Sequence, residues 1–172
     1  MAARRLLITG GAGFIGANFV HYWCARHPDD RIVVLDLLTY AGNRASLAPL
    51  ETEGRYRFVQ ADIVDTEAVR ELLREEDVDT VVHFAAESHV DRSIHGPAAF
   101  IRTNVVGTWS MLDACRLEWP TETERRYHFH HVSTDEVYGS LAPEEPAFSE
   151  DRRYEPNSPY AASKAGSDHL VR

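Results

Sequence analysis

Lysine occurs once in this chain, at position 164, although lysine and arginine together number 18. Every other basic side chain, the histidines aside, is arginine, so Lys164 marks a position where a compact ammonium is wanted in place of a planar guanidinium. Positive charge is scarce overall. Against 27 acidic residues the formal net charge is −9, which argues against an electrostatic grip on nucleic acid or on an anionic membrane. Cysteine is also scarce. Cys24 and Cys115 stand far apart, too few for a disulfide scaffold and wrongly spaced for zinc. They read as two buried small apolar residues, and a reducing cytoplasm fits them. Long apolar runs are missing too. Arg4 and Arg5 precede an apolar stretch, as in a signal peptide, but Gly10, Gly11, Gly13 and Gly16 interrupt it, and no run is long enough to span a bilayer. Internal repeats and low-complexity segments are lacking as well.

What is present is the composition of an ordinary globular protein, 44% hydrophobic and 10% aromatic in 172 residues. That length suits one domain with a substantial core. Short β-branched runs alternate with longer amphipathic ones. Strands are expected at residues 6–9, 32–35, 56–60, 80–84 and 127–133, and helices at 14–26, 66–75 and 97–119, with Asp65 as an N-cap and Pro97 in a first turn. A loop rich in Pro and Glu covers 141–159, and a further helix begins at residue 160. This rhythm predicts right-handed βαβ units, hence an α/β fold with a doubly wound parallel sheet of the Rossmann type. The last helix stops at Arg172 with no C-cap and no following strand, so the ending reads as a cut.

Gly10, Gly13 and Gly16 follow the first strand and open the first helix with G-x-x-G-x-x-G spacing. Glycines there allow a tight turn, a close approach of backbone to pyrophosphate, and close packing of helix on strand. The helix N-terminus turns its free amides toward the phosphates. A glycine motif alone is weak. Here Asp36 ends the second strand 20 residues after Gly16. A carboxylate there accepts hydrogen bonds from the ribose hydroxyls and repels a 2′-phosphate, so NAD is expected in preference to NADP. Asp62 and Ile63 follow the third strand. They suit an adenine contact, the Asp on the amino group and the Ile on the ring, and they equally suit a helix-entry turn.

Tyr160 and Lys164 lie four residues apart and share one face of a helix. An ammonium near a phenol stabilises the phenolate and makes the tyrosine a usable base at neutral pH. Such a pair also occurs by chance. Thr134, Asp135 and Glu136 leave the apolar fifth strand together, at the sheet edge where ligands bind in open α/β folds. His128, His130 and His131 do not make a metal centre: on a strand the first two share one face and the third takes the other, and no further ligand has recognisable spacing. His89, Asp91 and Arg92 either line the pocket or only position its loop, and the Glu-rich stretch 71–77 reads as a solvated helix end.

With these motifs together, the chain resembles the extended short-chain dehydrogenase/reductase family, and within it the nucleotide-sugar 4,6-dehydratases. The matching stretches are ITGGAGFIG, LDLLTYAGN, AESHVDRSI, TNVVGT, HHVSTDEVYG and SPYAASKAGSDHLVR, in the family's order across the whole chain, and STDEVYG is the most specific. The GDP-mannose dehydratases tend toward Ser at the position of Asp135 and use NADP, against the reading of Asp36. Leu37 departs from the Lys common in the family beside the adenosine ribose. The resemblance implies NAD-dependent dehydration of an NDP-hexose, dTDP-glucose or a close relative, to the 4-keto-6-deoxy sugar. It implies Tyr160 as the base at the C4 hydroxyl, Thr134 steadying that oxygen, Glu136 removing the C5 proton and Asp135 protonating the departing C6 hydroxyl. It further implies cofactor contacts from Gly10, Gly13, Phe14, Ile15, Gly16, Asp36 and Thr39, then from Asp62, Ile63, Ala85 and Thr103, and from Tyr160 and Lys164, with Ser88 and Thr134 on the substrate. Relatives are longer, so residues 1–172 are expected to be the NAD-binding part, without the smaller substrate lobe. A homodimer through the long helix and the helix near Tyr160 is also implied. The competing expectations are an epimerase or decarboxylase of the same family and a non-catalytic NAD-binding fragment.

Overall fold

The computed structural model describes residues 3–52 and 54–172, and the chain divides into two compact units, each made of two stretches of sequence. The first comprises Met1–Ala85 and Ser110–Val132. It holds five strands, β1 (Arg5–Thr9), β2 (Arg31–Asp36), β3 (Arg57–Gln60), β4 (Thr80–His83) and β5 (His128–His131), all parallel in the order β3-β2-β1-β4-β5. Strand order reverses between β1 and β4, the switch point of a doubly wound sheet. The three inner strands read as continuous apolar runs and are buried on both faces, as a covered parallel sheet requires.

Two-residue periodicity sorts these strands into two cores. Leu7, Val33, Leu35 and Val81 point one way, toward Val69, Leu72 and Leu73 of α3 (Thr66–Glu75) and Met111, Ala114 and Cys115 of the long helical run. Leu6, Ile8, Ile32, Val34 and Val82 point the other way, toward Ala17, Val20 and Cys24 of α1 (Phe14–Arg26). The two cysteines are therefore buried in different cores and unbridged, and burial pushes the Cys115 thiol up to about 12. Asp65 caps α3 by accepting from the Ala68 amide at 3.1 Å. A 3₁₀ turn (Arg44–Leu47) and α2 (Ala48–Thr52), neither expected, follow β2.

The second unit comprises Ala86–Trp109 and Ser133–Arg172. It contains α4 (Val90–His95), α5 (Pro97–Phe100), a π-helical stretch (Ile101–Gly107), the start of α6 (Thr108–Glu118), a 3₁₀ turn (Asp135–Tyr138) and α7 (Pro159–Val171). The helix expected over 97–119 is thus helical from Pro97 to Glu118 but widened in its middle. The widening coincides with Asn104, a buried polar side chain tied to neighbouring segments. Strand β5 is shorter than the expected 127–133, because its pairing ends with β4 at His83–His131. Ser158 caps α7 through the Ala161 amide at 3.0 Å, with Pro159 at its first position. Among the described residues no helix is long and apolar enough to cross a membrane.

Candidate active site

In the first unit the glycine turn is sterically compelled. Gly10 has φ +67°, and a Cβ there would lie 2.6 Å from the Ala85 nitrogen. At Gly16 a Cβ would lie 2.2 Å from the Gly10 carbonyl oxygen, so only glycine lets α1 start against the turn. The first amides of α1, those of Phe14, Ile15 and Gly16, have no acceptor within the helix, an arrangement that suits an anion. The Phe14 and Ile15 side chains are exposed, at 86% and 64%.

Asp36 is buried. Its carboxylate accepts from the Ala12 amide at 2.9 Å and from the Leu38 amide at 2.8 Å. The acid therefore braces the glycine turn itself, and each oxygen keeps a lone pair for a ligand hydroxyl. Leu38 sits in the left-handed region at φ 57°, a local strain held by that bond. The exposed Thr39 lies in a turn closed by Gly42 N–H to its carbonyl at 3.1 Å, and the following Asn43 amide donates to Ala12 at 2.9 Å. Ala85 lies under Gly10 and donates its amide to the Thr9 hydroxyl at 3.2 Å. Asp62 accepts from the Val64 amide at 3.2 Å, forming a helix-entry turn. Ile63 is packed into the core and offers little open surface as a platform for a ring.

In the second unit, Thr134, Asp135, Glu136 and Tyr160 come together. Thr134 caps the 3₁₀ turn, accepting from the Glu136 amide at 3.3 Å, and its hydroxyl lies 3.4 Å from an Asp135 oxygen. The Thr134 side chain and the charges of Glu136 and Asp135 all bear on the Tyr160 phenol. Lys164 stands one turn further along α7, 4% exposed. Phe100 packs edge-on against the Tyr160 ring at 6.3 Å. Ser88 is exposed and Thr103 half-buried in the π stretch.

The electrostatics reverse one expectation. The Tyr160 phenol is raised above its ordinary value, chiefly by burial, with the Thr134 bond pulling down and Glu136 and Asp135 pushing up. Burial is the largest cause, so in the chain by itself the phenol keeps its proton at neutral pH. Burial also lowers Lys164 to about 8, opposed by Asp168. Sequence reasoning missed Asn104. It is 2% exposed, accepts from the Glu87 amide at 2.8 Å, and donates to the Glu87 carbonyl and the Ser163 hydroxyl, both at 2.9 Å. Ser163 precedes Lys164 and donates to the Tyr160 carbonyl at 2.7 Å. A polar residue inside an otherwise helical stretch was the available signal. Among the described residues no group of three or more His, Cys, Asp or Glu is arranged for a metal ion.

The family model for GDP-mannose 4,6 dehydratase matches residues 7–172. Among curated proteins, a dTDP-glucose 4,6-dehydratase of Xanthomonas campestris pv. campestris is 56% identical over 169 residues, covering 96% of this chain and 47% of the relative. One from Mycobacterium tuberculosis is 53% identical, covering 98% and 48%. Among solved structures, a dTDP-glucose 4,6-dehydratase from Streptomyces venezuelae with NAD bound superposes with a TM-score of 0.88 at 51% identity, over 97% of this chain and 50% of that one. A UDP-Glc/GlcNAc 4-epimerase from Campylobacter jejuni gives 0.87 at 30% identity, over 99% and 48%. The chain spans about half the length of the curated relatives it matches.

Proposed function

The chain belongs to the GDP-mannose 4,6 dehydratase family, and we propose that within it residues 1–172 are the NAD-binding and catalytic part of a cytoplasmic, homodimeric enzyme that dehydrates dTDP-glucose. The observation that carries this reading is the cluster of the Thr134 hydroxyl, two adjacent acids and the Tyr160 phenol. It is supported by relatives of that activity at about half identity across almost the whole chain. NAD fits the first unit. The glycine turn and α1 amides suit a pyrophosphate, the exposed Thr39 lies in an adjoining turn, and Asp36 favours ribose hydroxyls over a 2′-phosphate. Asp62 and the backbone of Ile63 would border the adenine, and Ala85 the turn itself.

When bound, NAD supplies the acceptor, and later the donor, of one hydride. The chain's own residues handle the protons. Tyr160 accepts the proton of the sugar C4 hydroxyl, and Thr134 bonds the oxygen as it becomes a carbonyl. That carbonyl acidifies C5, Glu136 takes the C5 proton, and Asp135 donates one to the C6 hydroxyl as it leaves as water. Lys164 holds positive charge beside the phenol, Thr103 serves the cofactor and Ser88 the sugar. Incubation with dTDP-glucose and NAD should yield a 4-keto-6-deoxy sugar, detected by its absorbance in alkali. An epimerase, the alternative suggested by the Campylobacter jejuni likeness, would yield a sugar without that absorbance. In a form of the protein that turns over, Asp135→Asn should slow water loss about 100-fold while the nicotinamide still becomes reduced. Normal water loss in that variant would end the role given to Asp135.

A further inference from the structure

Asp168 lies on α7 four residues beyond Lys164 and eight beyond Tyr160, on the same helix face. It is buried, at 8% exposure. One carboxylate oxygen accepts from the Ser133 hydroxyl at 2.6 Å and from the Tyr154 hydroxyl at 2.9 Å. The shorter of these, from Ser133, has the length of a charge-assisted bond. Ser133 is the residue before Thr134, so the bond fastens the root of the Thr134–Asp135–Glu136 segment to the helix carrying Tyr160 and Lys164. Tyr154 brings in the loop before α7, and its ring packs edge-on against Tyr138, at the end of the 3₁₀ turn, at 5.2 Å. A buried ionised carboxylate costs free energy unless it is bonded and paired. Here two hydroxyls bond one carboxylate oxygen, and the carboxylate's charge bears on Lys164, one helical turn away.

We propose that Asp168 is a positioning residue of the site: it keeps the Lys164 ammonium charged inside the protein and, through Ser133, tethers the Thr134–Asp135–Glu136 segment to α7. This rests on the reading of Tyr160 and Lys164 as the proton-handling pair, but its mechanics concern this chain alone. Three charges bear on the pair: Asp168 on Lys164, and Asp135, Glu136 and Asp168 on Tyr160. Asp168 therefore trades against itself, raising the proton affinity of the phenol while holding the ammonium in place. On the reading of Lys164 as the phenol's partner, the ammonium is the group that stabilises the phenolate once formed.

Because Lys164 is the chain's only lysine, isotope-labelled lysine gives one side-chain signal in nuclear magnetic resonance, and its titration reports this ammonium alone. The parent should titrate near 8. In Asp168→Asn the proton affinity of Lys164 should fall about tenfold, and Asp168→Glu should recover most of the loss. A folded Asp168→Asn variant, judged by circular dichroism, with an unmoved midpoint overturns the charge role. If that variant does not fold, Lys164→Met gives the reciprocal measurement. The Asp168 carboxyl should then lose acidity by the same factor, since coupling between two sites is mutual, and an unmoved carboxyl overturns the role equally. Ser133→Ala keeps the carboxylate, so it should leave the lysine midpoint in place and speed hydrogen exchange at the Glu136 amide. Exchange identical to the parent's overturns the tether. None of these readouts involves a substrate, so they stand or fall apart from the dehydratase reading.

Discussion

At the scale of single residues the site stores an unfavourable charge. Lys164 is almost wholly buried and lowered to about 8. Below that pH the folded chain carries the proton, as the unfolded chain does. Between about 8 and 10.5 the unfolded chain binds a proton that the folded chain does not, so folding stability gains with rising pH through this window. The whole gain is on the order of 3 kcal/mol. Measured as the difference between the parent and Lys164→Met, it is free of the Cys115 thiol, which titrates in both proteins alike. Urea unfolding across this range should show the parent gaining on the variant as pH rises. A constant difference would mean that the ammonium is not buried at its own expense. Asp36 was legible from its spacing to Gly16, whereas its grip on the Ala12 amide was not, since a bond across 24 residues leaves no local pattern. The reversed shift of the Tyr160 phenol was hidden for a similar reason: burial is a property of the packed chain, not of the i, i+4 pair.

At the scale of elements, sequence pattern succeeded where a local cause acts alone. Helices α1 and α3 have the expected bounds because a glycine entry and an Asp cap set their starts. The inner strands were readable because unbroken apolar runs mark a sheet covered on both faces. Pattern failed where a distant partner sets the backbone. The strand ending at His131 stops where its partner β4 stops, and Ser133 just beyond it reaches Asp168, 35 residues away. The π stretch contains Asn104, which bonds to Glu87 and Ser163, 17 and 59 residues away. That element makes a prediction. Asn104→Leu is close in size but leaves the part-buried Glu87 amide and carbonyl without their Asn104 partner. It should cost about 2–3 kcal/mol, seen as a lower denaturation midpoint at unchanged slope, together with faster hydrogen exchange at Glu87. A variant as stable as the parent would show that the widened turns are held by packing instead.

At the scale of the whole molecule, burial leaves one set of large apolar side chains unexplained by either core. In the second unit Ile94, Ile101, Val106, Trp109 and Leu170 are exposed at 60%, 47%, 42%, 51% and 42%. Single exposed apolar residues are ordinary, but several on consecutive helical segments mark a surface meant to be covered. The proposed homodimer covers them with a second copy through the helical run from Pro97 to Glu118 and through α7. A two-fold interface presents the same patch to itself, so one substitution acts twice. Val106→Glu together with Trp109→Glu puts four carboxylates into such an interface and leaves each monomer's own core untouched, because both side chains face outward. Sedimentation equilibrium should give a dimer for the parent and a monomer for the double variant, with circular dichroism unchanged. The Lys164 titration should stay where it is, since its partner Asp168 comes from the same chain. A parent that sediments as a monomer over the accessible concentration range would sink the dimer. A double variant that still dimerises would move the interface to a different face.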